Sequence, residues 1–146
     1  MSPITVYNAV ERPSELEKNQ IVDFLHTHLE EYGDPKKDIL KALNYSIKDK
    51  TSFGGFTLVL KEGNEILGTV IVNNTGMGGY IPENILVYIA THKDKRGQGL
   101  GKKMMEETLK HASGDIALHV EADNPARFLY EKVGFTNPYL EMRLKR

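Results

Sequence analysis

A glycine-rich stretch between two cations is the part of the sequence best suited to bind an anion. It lies between an apolar run, residues 85–90, and an amphipathic segment, and it reads Arg96-Gly97-Gln98-Gly99-Leu100-Gly101-Lys102. Backbone N–H groups at the start of a helix lack intrahelical acceptors, and the helix dipole adds partial positive charge there. Glycine also lets the backbone approach a ligand closely. We therefore predict that this turn binds a phosphate or pyrophosphate group.

The spacing of the glycines excludes two common phosphate-binding loops. A P-loop requires Gly, four residues and then Gly-Lys-Ser/Thr, whereas Arg96 stands five residues before Gly101 and Lys103 follows Lys102. The dinucleotide-binding motif requires Gly-x-Gly-x-x-Gly, and a count from Gly97 ends on Lys102. Taken alone, the stretch leaves one alternative open, which is a flexible turn between a strand and a helix without a ligand.

The composition is that of an ordinary globular domain. The chain has 146 residues, of which 40% are hydrophobic and 27% are charged, with a formal net charge of −1. This length suits one domain over residues 1–146. A chain so close to neutral is not expected to be a general binder of nucleic acids or membrane surfaces. No signal peptide or membrane-spanning run is recognised, so a cytoplasmic location is expected.

The sequence offers little for metal or thiol chemistry. It contains no cysteine, which excludes disulfides, a cysteine nucleophile and thiolate metal ligands, and which is typical of a reducing compartment. His26 and His28 are two residues apart, so they do not share a helix face. They are predicted to lie on a solvated surface, and no metal is expected.

The first half is predicted to contain two helices. Ser14 and Glu17 have the spacing of a capping box, and apolar residues recur after them at helical intervals. Gly33 is predicted to end this helix in the left-handed conformation. Asp34 and Pro35 then match the N-cap and the first residue of a second helix.

Strands are predicted on both sides of these helices. Residues 4–10 alternate weakly as a first strand, and residues 56–61 and 66–73 alternate on either side of a short turn, which predicts an antiparallel hairpin. Gly68 inside the second hairpin strand predicts a bulge or a close approach of another segment. The loop at residues 75–80 is interpreted as a plain connector, with substrate gating as the alternative.

The second half is predicted to alternate strands and helices. Residues 84–91 form a strand that leads into the glycines, and residues 116–121 form the next one, in which His119 is expected to be structural or exposed. Residues 139–144 alternate again and are predicted to be the last strand. The helix after the glycines has ordinary core spacing at Leu100, Met104, Met105 and Leu109.

Two motifs of this half together resemble the acetyl-CoA-binding half of the GNAT superfamily of N-acetyltransferases. The first is the apolar strand followed by Arg96-x-x-Gly99-x-Gly101. The second is Asn124-Pro125-Ala126 leading to Tyr130-Glu131-Lys132-Val133-Gly134-Phe135. The resemblance covers roughly residues 84–135, and the first half agrees with the family in the order of its elements.

The resemblance implies an α/β (α+β) fold. Its sheet would be mixed, mostly antiparallel and twisted, with six to seven strands flanked by about four helices. The strand that ends near Thr91 would diverge from the one near His119, and the pantetheine arm of coenzyme A would enter the gap. There its amides would pair with backbone groups that the diverging strands leave free.

The resemblance also implies the residues that contact the coenzyme. The backbone of the strand before the glycines would pair with pantetheine, a backbone N–H of the same strand would polarise the thioester carbonyl, and the glycine-rich turn would bind the pyrophosphate. The implied binding residues are Ile89, Ala90, Thr91, Arg96, Gly97, Gln98, Gly99, Leu100, Gly101, Lys102 and Asn124. Family members often have valine at the position of Thr91 and proline at that of Lys93, and neither departure threatens coenzyme binding.

The implied reaction is acetyl transfer from acetyl-CoA to a primary amine of a small molecule or peptide by direct attack. Tyr130 is the candidate general acid for the departing sulfur, and a tyrosine packed in the core is the alternative. Asn124 either hydrogen-bonds pantetheine or only caps its helix. Three residues are considered as the base, alongside a water chain: Glu83, Glu121 and His92.

A non-catalytic coenzyme A-binding sensor or scaffold is the alternative from another functional class, and a phosphate-binding fold of another family is a third. The sequence does not identify the acceptor amine or show whether acyl groups other than acetyl are used. It leaves the oligomeric state open, with a homodimer as one option.

Overall fold

One mixed sheet carries all five strands of the structure. The structure is a computed structural model that describes residues 3–146. Its strands and helices are β1 (Ile4–Tyr7), α1 (Glu15–His28), α2 (Lys36–Ser46), β2 (Gly55–Glu62), β3 (Glu65–Asn74), β4 (Asn84–Thr91), α3 (Leu100–His111), β5 (Ile116–Leu118) and α4 (Arg127–Lys132), with single 3-10 turns at Glu30–Tyr32 and Lys93–Lys95. The sheet order is β1-β2-β3-β4-β5, antiparallel except for the parallel pair β4–β5.

The α/β fold class and the mostly antiparallel mixed sheet are confirmed, but residues 3–146 contain five strands rather than six to seven. The expected last strand at residues 139–144 is wrong, because these residues form no ladder with any described segment. The expected strand at residues 4–10 stops at Tyr7, and the one at residues 116–121 stops at Leu118. Alternation alone does not make a strand, since a ladder also needs a partner.

The two faces of the sheet are covered by different helices. Helices α1 and α2 pack on one face, where the core side chains include Ile21, Leu25, Ile39, Leu43, Ile47, Val59 and Ile71. Helices α3 and α4 cover the other face, with Leu58, Leu60, Val70, Val72, Leu86, Met104, Met105 and Tyr130. Each strand therefore divides its side chains between two apolar cores, and the backbone at the end of β4 lies between them.

The start of α1 is as predicted and its end is not. The Ser14 hydroxyl accepts from the Glu17 N–H at 3.1 Å, and the Glu17 carboxylate accepts from the Ser14 N–H at 2.8 Å, which completes the capping box. The helix ends at His28, and Gly33 has an extended φ of −91°. Glu30 takes the left-handed conformation instead, with a φ of 55°, which is uncommon for a residue with a Cβ.

Two further details of the helices differ from expectation. Helix α2 begins after Pro35, and Asp34 accepts a hydrogen bond from Tyr88 rather than capping the helix. On α3, Leu109 is 43% exposed, so its predicted place in the core is wrong. Thr108 is buried there instead, and its hydroxyl donates to the Met104 carbonyl at 2.8 Å.

At Gly68, α3 packs closely against the sheet. A Cβ on Gly68 would lie 3.3 Å from the Met104 side chain, so the predicted close approach is confirmed. The register of β2 and β3 also shifts here, because Leu60 pairs with Gly68 and Lys61 with Ile66. No helix within residues 3–146 combines the length and apolar character needed to cross a membrane.

Candidate active site

The cleft begins where β4 and β5 separate. Their parallel pairing runs from Asn84↔Ile116 to Leu86↔Leu118 and stops there, whereas β4 continues to Thr91. The backbone of residues 87–91 therefore has no strand beside it on the β5 side. Exposed N–H and C=O groups on such an edge can pair with an extended ligand that carries amides. Ile89, Ala90 and Thr91 all lie on this edge.

A bulge at Val87 marks the inner end of the open edge. Ile71 pairs with Tyr88 and Val72 with Leu86, so Val87 has no partner in β3. Bulges re-aim backbone groups and are common beside active sites. The sequence analysis did not place this bulge, because residues 84–91 are apolar throughout and show no interruption.

The outer end of the cleft is the glycine-rich turn. Gly97 and Gly99 have φ values of 83° and 78°, and a Cβ at either position would meet nothing within 4 Å. In the described chain, the backbone N–H groups of residues 97–102 have no acceptor, and Gly99 is the N-cap of α3. These six donors at a helix N-terminus fit a pyrophosphate.

Arg96 is turned toward α1. Its guanidinium donates to the Glu30 carboxylate at 3.0 Å and to the His28 carbonyl at 2.9 Å. It thereby ties the glycine-rich turn to the C-terminal end of α1, while half of its side chain stays exposed. Lys102 is more exposed and lies 3.9 Å from the Glu106 carboxylate. Both cations add positive potential around the turn.

Gly101 joins the turn to α4. A Cβ on Gly101 would lie 3.0 Å from the Leu129 side chain, which is tighter than an ordinary van der Waals contact. This third glycine of the motif therefore serves helix packing, whereas Gly97 and Gly99 leave open space for a ligand. Leu129 immediately precedes Tyr130, so the packing also fixes the position of that tyrosine.

Tyr130 combines burial with an unpaired hydroxyl. Its side chain is 7% exposed and packs in the α3/α4 core, with its ring centroid 6.1 Å from that of Phe135. Within residues 3–146 its hydroxyl makes no hydrogen bond. Burial, with a smaller contribution from the Glu121 carboxylate, raises the pKa of Tyr130 to about 12. The hydroxyl therefore keeps its proton at neutral pH and can donate it.

Asn124 organises the turn between β5 and α4. Its side-chain carbonyl accepts from the Ala126 N–H at 2.9 Å, and its amide lies 3.4 Å from the Glu121 carboxylate. This bond closes a local turn before the helix: α4 begins at Arg127 with Ala126 as its N-cap and no side-chain capping bond, so the expectation that Asn124 caps the helix is wrong. His119 is exposed, as expected.

The three residues considered as the base lie in different places. Glu83 is at the opposite end of β4, where its carboxylate accepts from the Asp115 N–H at 3.4 Å. His92 stacks on His28 with ring centroids 4.3 Å apart. Glu121 is exposed and lies beside the turn that contains Asn124. The structure brings only Glu121 close to Tyr130.

His28 corrects another expectation. His26 is exposed as predicted, but His28 is 8% exposed and lies between Phe24 and His92. Its Nδ1 accepts from the Lys93 N–H at 3.0 Å, which fixes the chain just before the glycine-rich turn. Burial, and then electrostatic interactions with the nearby His92, Lys93 and Arg96 side chains, lower the pKa of His28. No group of three or more His, Cys, Asp or Glu side chains in residues 3–146 could hold a metal ion.

The connector between α1 and α2 contacts both sides of the cleft. The Tyr32 hydroxyl donates to the Asp123 carbonyl at 3.3 Å, after β5. The Tyr88 hydroxyl donates to the Asp34 carboxylate at 2.5 Å, from β4. Sequence reasoning missed these residues, because their roles depend on contacts between segments 54 and 91 positions apart.

A cavity of about 440 Å³ lies elsewhere, around the N-terminal end of β4. Its lining includes Asn8, Phe56, Met77, Glu83 and His111. None of the predicted coenzyme-binding residues lines it. The loop at residues 75–80 borders this cavity through Gly76 and Met77.

The family comparison agrees with this geometry. Residues 54–137 match the model of the acetyltransferase (GNAT) domain, which is more than half of the chain. This region contains the open edge of β4, the glycine-rich turn and Tyr130. No curated protein sequence matches the chain.

Several solved structures share the fold. The ribosomal-protein-S18-alanine N-acetyltransferase of Escherichia coli has a TM-score of 0.69 at 18% identity, with coverage of 95% of this chain and 80% of that one. The ribosomal-protein-alanine N-acetyltransferase of Brucella melitensis biovar Abortus 2308 has a TM-score of 0.66 at 13% identity, with coverage of 99% and 100%. A transcriptional regulator of Bacillus halodurans C-125 has a TM-score of 0.67 at 22% identity, again with coverage of 99% and 100%. With the match over residues 54–137, the chain belongs to the GNAT acetyltransferase family.

Proposed function

We propose that this protein is an acetyl-CoA-dependent N-acetyltransferase that acts on a primary amine of a small molecule or peptide. The observation that carries the proposal is the open edge of β4, with six free backbone N–H donors at one end and the unpaired hydroxyl of Tyr130 on the neighbouring helix. Members of the family generally use acetyl-CoA. A cytoplasmic location fits a protein that draws on this metabolite and contains no cysteine.

The coenzyme would be held mainly by backbone groups. Residues 97–102 would donate N–H groups to the pyrophosphate, with Lys102 adding charge. Backbone groups of Ile89, Ala90 and Thr91 would pair with the amides of pantetheine. The shift of register at Val87 supports a place for the thioester carbonyl at this point, where a backbone N–H would polarise it.

Acetyl-CoA, when bound, supplies a thioester whose carbonyl carbon the amine attacks directly, releasing the thiol of coenzyme A. Tyr130 is suited to assist the departing sulfur, because its hydroxyl is protonated and free. Its pKa of about 12 exceeds the ~8.5 of an ordinary thiol, so complete proton transfer to sulfur is uphill. Its main contribution is thus a hydrogen bond that strengthens as charge develops on sulfur.

The amine must lose a proton during the reaction. An amine with a pKa near ~10 is mostly protonated at neutral pH, so it needs a base before or during attack. Glu121 is the candidate that lies beside the cleft, and it is exposed enough to act through water. Asn124 would hold this carboxylate in place through its amide.

The acceptor classes can be separated by assay. Two structural neighbours are named as alanine N-acetyltransferases of ribosomal proteins, which supports including a peptide with an N-terminal alanine. The assay therefore compares this peptide with a panel of small primary amines. Release of free coenzyme A thiol with either class, together with an acetylated product of the expected mass, is the predicted result.

A non-catalytic coenzyme A-binding module is the second candidate. One neighbour with full coverage is named a transcriptional regulator. Calorimetry with acetyl-CoA and the thiol-release assay together separate this module from an enzyme. A module would bind the coenzyme in the calorimeter but would release no thiol with any amine. Failure to bind acetyl-CoA at all would refute both functions and leave a phosphate-binding fold of another use.

A further inference from the structure

The chain that leads from β4 into the glycine-rich turn is held by two other elements. We call residues 92–96 the approach segment. The His92 N–H donates to the Leu67 carbonyl of β3 at 2.8 Å. The next N–H, that of Lys93, donates to Nδ1 of His28 on α1 at 3.0 Å. The backbone is therefore bound first to the sheet and then to α1 before it enters the turn.

The next amides of the approach segment bond within the segment itself. The Asp94 N–H donates to Nδ1 of His92 at 3.2 Å, and the Lys95 N–H donates to the His92 carbonyl at 2.9 Å. By contrast, the N–H groups of residues 97–102 have no acceptor in the described chain. His28 thus supplies an acceptor from a separate helix shortly before the amides that are free to bind a ligand.

The hydrogen bond to Lys93 defines the protonation state of His28. An imidazole nitrogen that accepts a hydrogen bond carries no proton, so neutral His28 holds its proton on Nε2. Protonation would place a second N–H at Nδ1, opposite the Lys93 N–H, and two donors cannot bond. His28 is only 8% exposed and packs between Phe24 and His92, with ring centroids 4.4 and 4.3 Å away. This packing resists rotation of the ring, so a protonated His28 is expected to release Lys93.

We propose that neutral His28 positions the glycine-rich turn for coenzyme binding, and that protonation of His28 releases the approach segment and lowers the affinity for acetyl-CoA. This inference rests on the proposed function, because it takes the turn as the pyrophosphate site. A turn whose donors are already arranged binds more tightly than one that must be ordered on binding. His28 is accordingly a positioning residue, which acts on the ligand through the backbone of the turn.

Arg96 binds the other end of the approach segment to the same residue of α1. Its guanidinium donates to the His28 carbonyl at 2.9 Å. Lys93 is thus bound through the imidazole of His28 and Arg96 through the carbonyl. Half of the Arg96 side chain is exposed, and a long, flexible side chain fixes a backbone less firmly than a direct bond to its N–H does. The bond from Lys93 is therefore the one that holds the backbone of the segment.

The charged groups around His28 come from the approach segment, from α1 and from the turn between β2 and β3. They are His92, Lys93, Asp94, Arg96, Asp23 and Glu65. Burial lowers the pKa of His28 from its usual 6.5, the basic side chains of the approach segment lower it further, and Asp94 opposes them. Asp23 is paired with Lys36 at 2.9 Å. The imidazole is therefore neutral at physiological pH and binds its proton in the folded chain below pH 6.5.

Protonation of His28 has two opposing effects on an anionic ligand. The new positive charge would attract the pyrophosphate, but the free donors begin only at residue 97, and salt screens charges over about 10 Å. The bond to the Lys93 N–H is direct and is lost completely. We therefore expect the lost bond to dominate. Proton and coenzyme binding then oppose each other, so the affinity for acetyl-CoA falls as the pH is lowered below 6.5.

Calorimetry with acetyl-CoA at about pH 7.5 and about pH 5.5 tests the proposal. His28→Asn keeps an acceptor near the place of Nδ1 and does not titrate, so it should bind like wild type at the higher pH and more tightly than wild type at the lower. His28→Leu keeps apolar bulk without an acceptor, and its affinity at the higher pH should be about 3- to 10-fold lower, the usual effect of one hydrogen bond. A phosphate monoester titrates in the same range, and the comparison with His28→Asn removes this contribution.

His26→Leu is the matched control, because His26 is exposed on the same helix. It should bind acetyl-CoA as wild type does at both pH values. In the acetyl-transfer assay, His28→Leu should raise the KM for acetyl-CoA and leave kcat unchanged, since the proposal gives His28 no part in the chemical step. Circular dichroism checks that each variant is folded.

Hydrogen exchange of the Lys93 amide gives a readout that needs no coenzyme. In wild type, the protection of this amide relative to an unfolded peptide should fall between about pH 7.5 and about pH 5.5. His28→Asn should keep its protection over the same range. Nitrogen NMR of the imidazole should show Nδ1 of His28 without a proton at the higher pH. These measurements decide the proposal even if His28→Leu does not fold.

The outcomes separate this proposal from the proposed function. Equal affinity of wild type and folded His28→Leu for acetyl-CoA would overturn the role of His28 and leave the proposed function intact. A wild-type affinity with the same pH dependence as that of His28→Asn, or a Lys93 amide that stays protected in acid, would do the same. Failure of wild type to bind acetyl-CoA would refute both, because the turn would then not be a coenzyme site.

Discussion

Arg96 binds Glu30 beside the glycine-rich turn, with 3.0 Å between the guanidinium nitrogen and the carboxylate oxygen. The same guanidinium donates to the His28 carbonyl at the end of α1. Glu30 has a φ of 55°, so this contact holds a residue in an unfavourable backbone conformation. One side chain of the glycine-rich turn therefore positions the connector that borders the cleft.

Replacing Arg96 should weaken both the fold and coenzyme binding. For Arg96→Ala we expect a loss of about 1–2 kcal/mol in the free energy of unfolding, chiefly from the hydrogen bond to the helix carbonyl. The exposed ion pair itself contributes less, so Glu30→Gln should cost under about 1 kcal/mol. Urea unfolding gives the free energies, and calorimetry gives the acetyl-CoA affinities. Equal stability of Arg96→Ala and wild type would contradict this role.

Placing a carboxylate at Gly99 should abolish acetyl-CoA binding while the fold survives. Gly99→Glu brings bulk and negative charge to open space beside the free N–H donors, where it would repel a pyrophosphate. The left-handed conformation adds a strain of about 1–2 kcal/mol. Binding is measured by calorimetry and folding by circular dichroism.

Gly63→Glu is the matched control for this substitution. Gly63 also has a positive φ, 62°, and open space at its Cβ, but it lies in the turn between β2 and β3. It should show similar strain and unchanged affinity. Normal coenzyme binding by a folded Gly99→Glu protein would mean that the glycine-rich turn is not the pyrophosphate site.

Tyr130→Phe should lower kcat and leave the KM for acetyl-CoA nearly unchanged. It removes a hydroxyl without a hydrogen-bond partner in the described chain and keeps the ring in the core. Because general acid–base and oxyanion-type effects are of this size, we expect kcat to fall roughly 100-fold or more. Tyr45→Phe is a suitable comparison, because it loses a hydrogen bond to the Asn74 carbonyl, at 2.6 Å, outside the cleft. That variant should lose stability and retain kcat.

The pH dependence gives a second check on Tyr130. Because the pKa of Tyr130 is raised to about 12, its ionisation should cause no loss of kcat between neutral pH and about pH 10. A decline of kcat over this range in wild type that is absent in Tyr130→Phe would assign the tyrosine an ordinary pKa and contradict its burial.

His28 should make the protein less stable in mild acid. Its pKa is lowered in the folded chain from 6.5 by burial and by neighbouring cations, so the unfolded chain binds the proton more readily. This contribution to stability is complete above pH 6.5 and is lost as the pH falls through the lower folded-state pKa. Urea midpoints at several pH values between 7.5 and 5 measure the loss.

His28→Gln should flatten this pH dependence, since glutamine does not titrate. His26→Gln is the control on the same helix, because His26 is exposed. It should retain the wild-type pH profile. If both variants behaved alike, the acid sensitivity would come from another group.

Local sequence signals predicted much of the fold. The capping box at Ser14 and Glu17 and the limits of β4 are determined by residues close together in the chain, and both are confirmed. The expectation for Gly68 also holds, because a missing Cβ in a strand usually has a packing reason. The GNAT resemblance rests on two such local motifs and is likewise confirmed.

Features that depend on distant partners were not predictable in this way. Asp34 has the sequence of an N-cap, but Tyr88 recruits its carboxylate from 54 positions away. His28 falls on the polar side of the helical pattern, yet His92 and Phe24 enclose it. Residues 139–144 alternate as a strand does, and the single chain offers them no ladder. The coenzyme-binding assignments themselves stay predictions until a ligand is bound.

Gly101 lies at the packing contact between α3 and α4. A Cβ at this position would lie 3.0 Å from the Leu129 side chain, so the absence of a side chain lets α3, which follows the glycine-rich turn, pack directly against α4, which carries Tyr130. A change of packing at this one contact is therefore expected to affect the glycine-rich turn and Tyr130 at the same time.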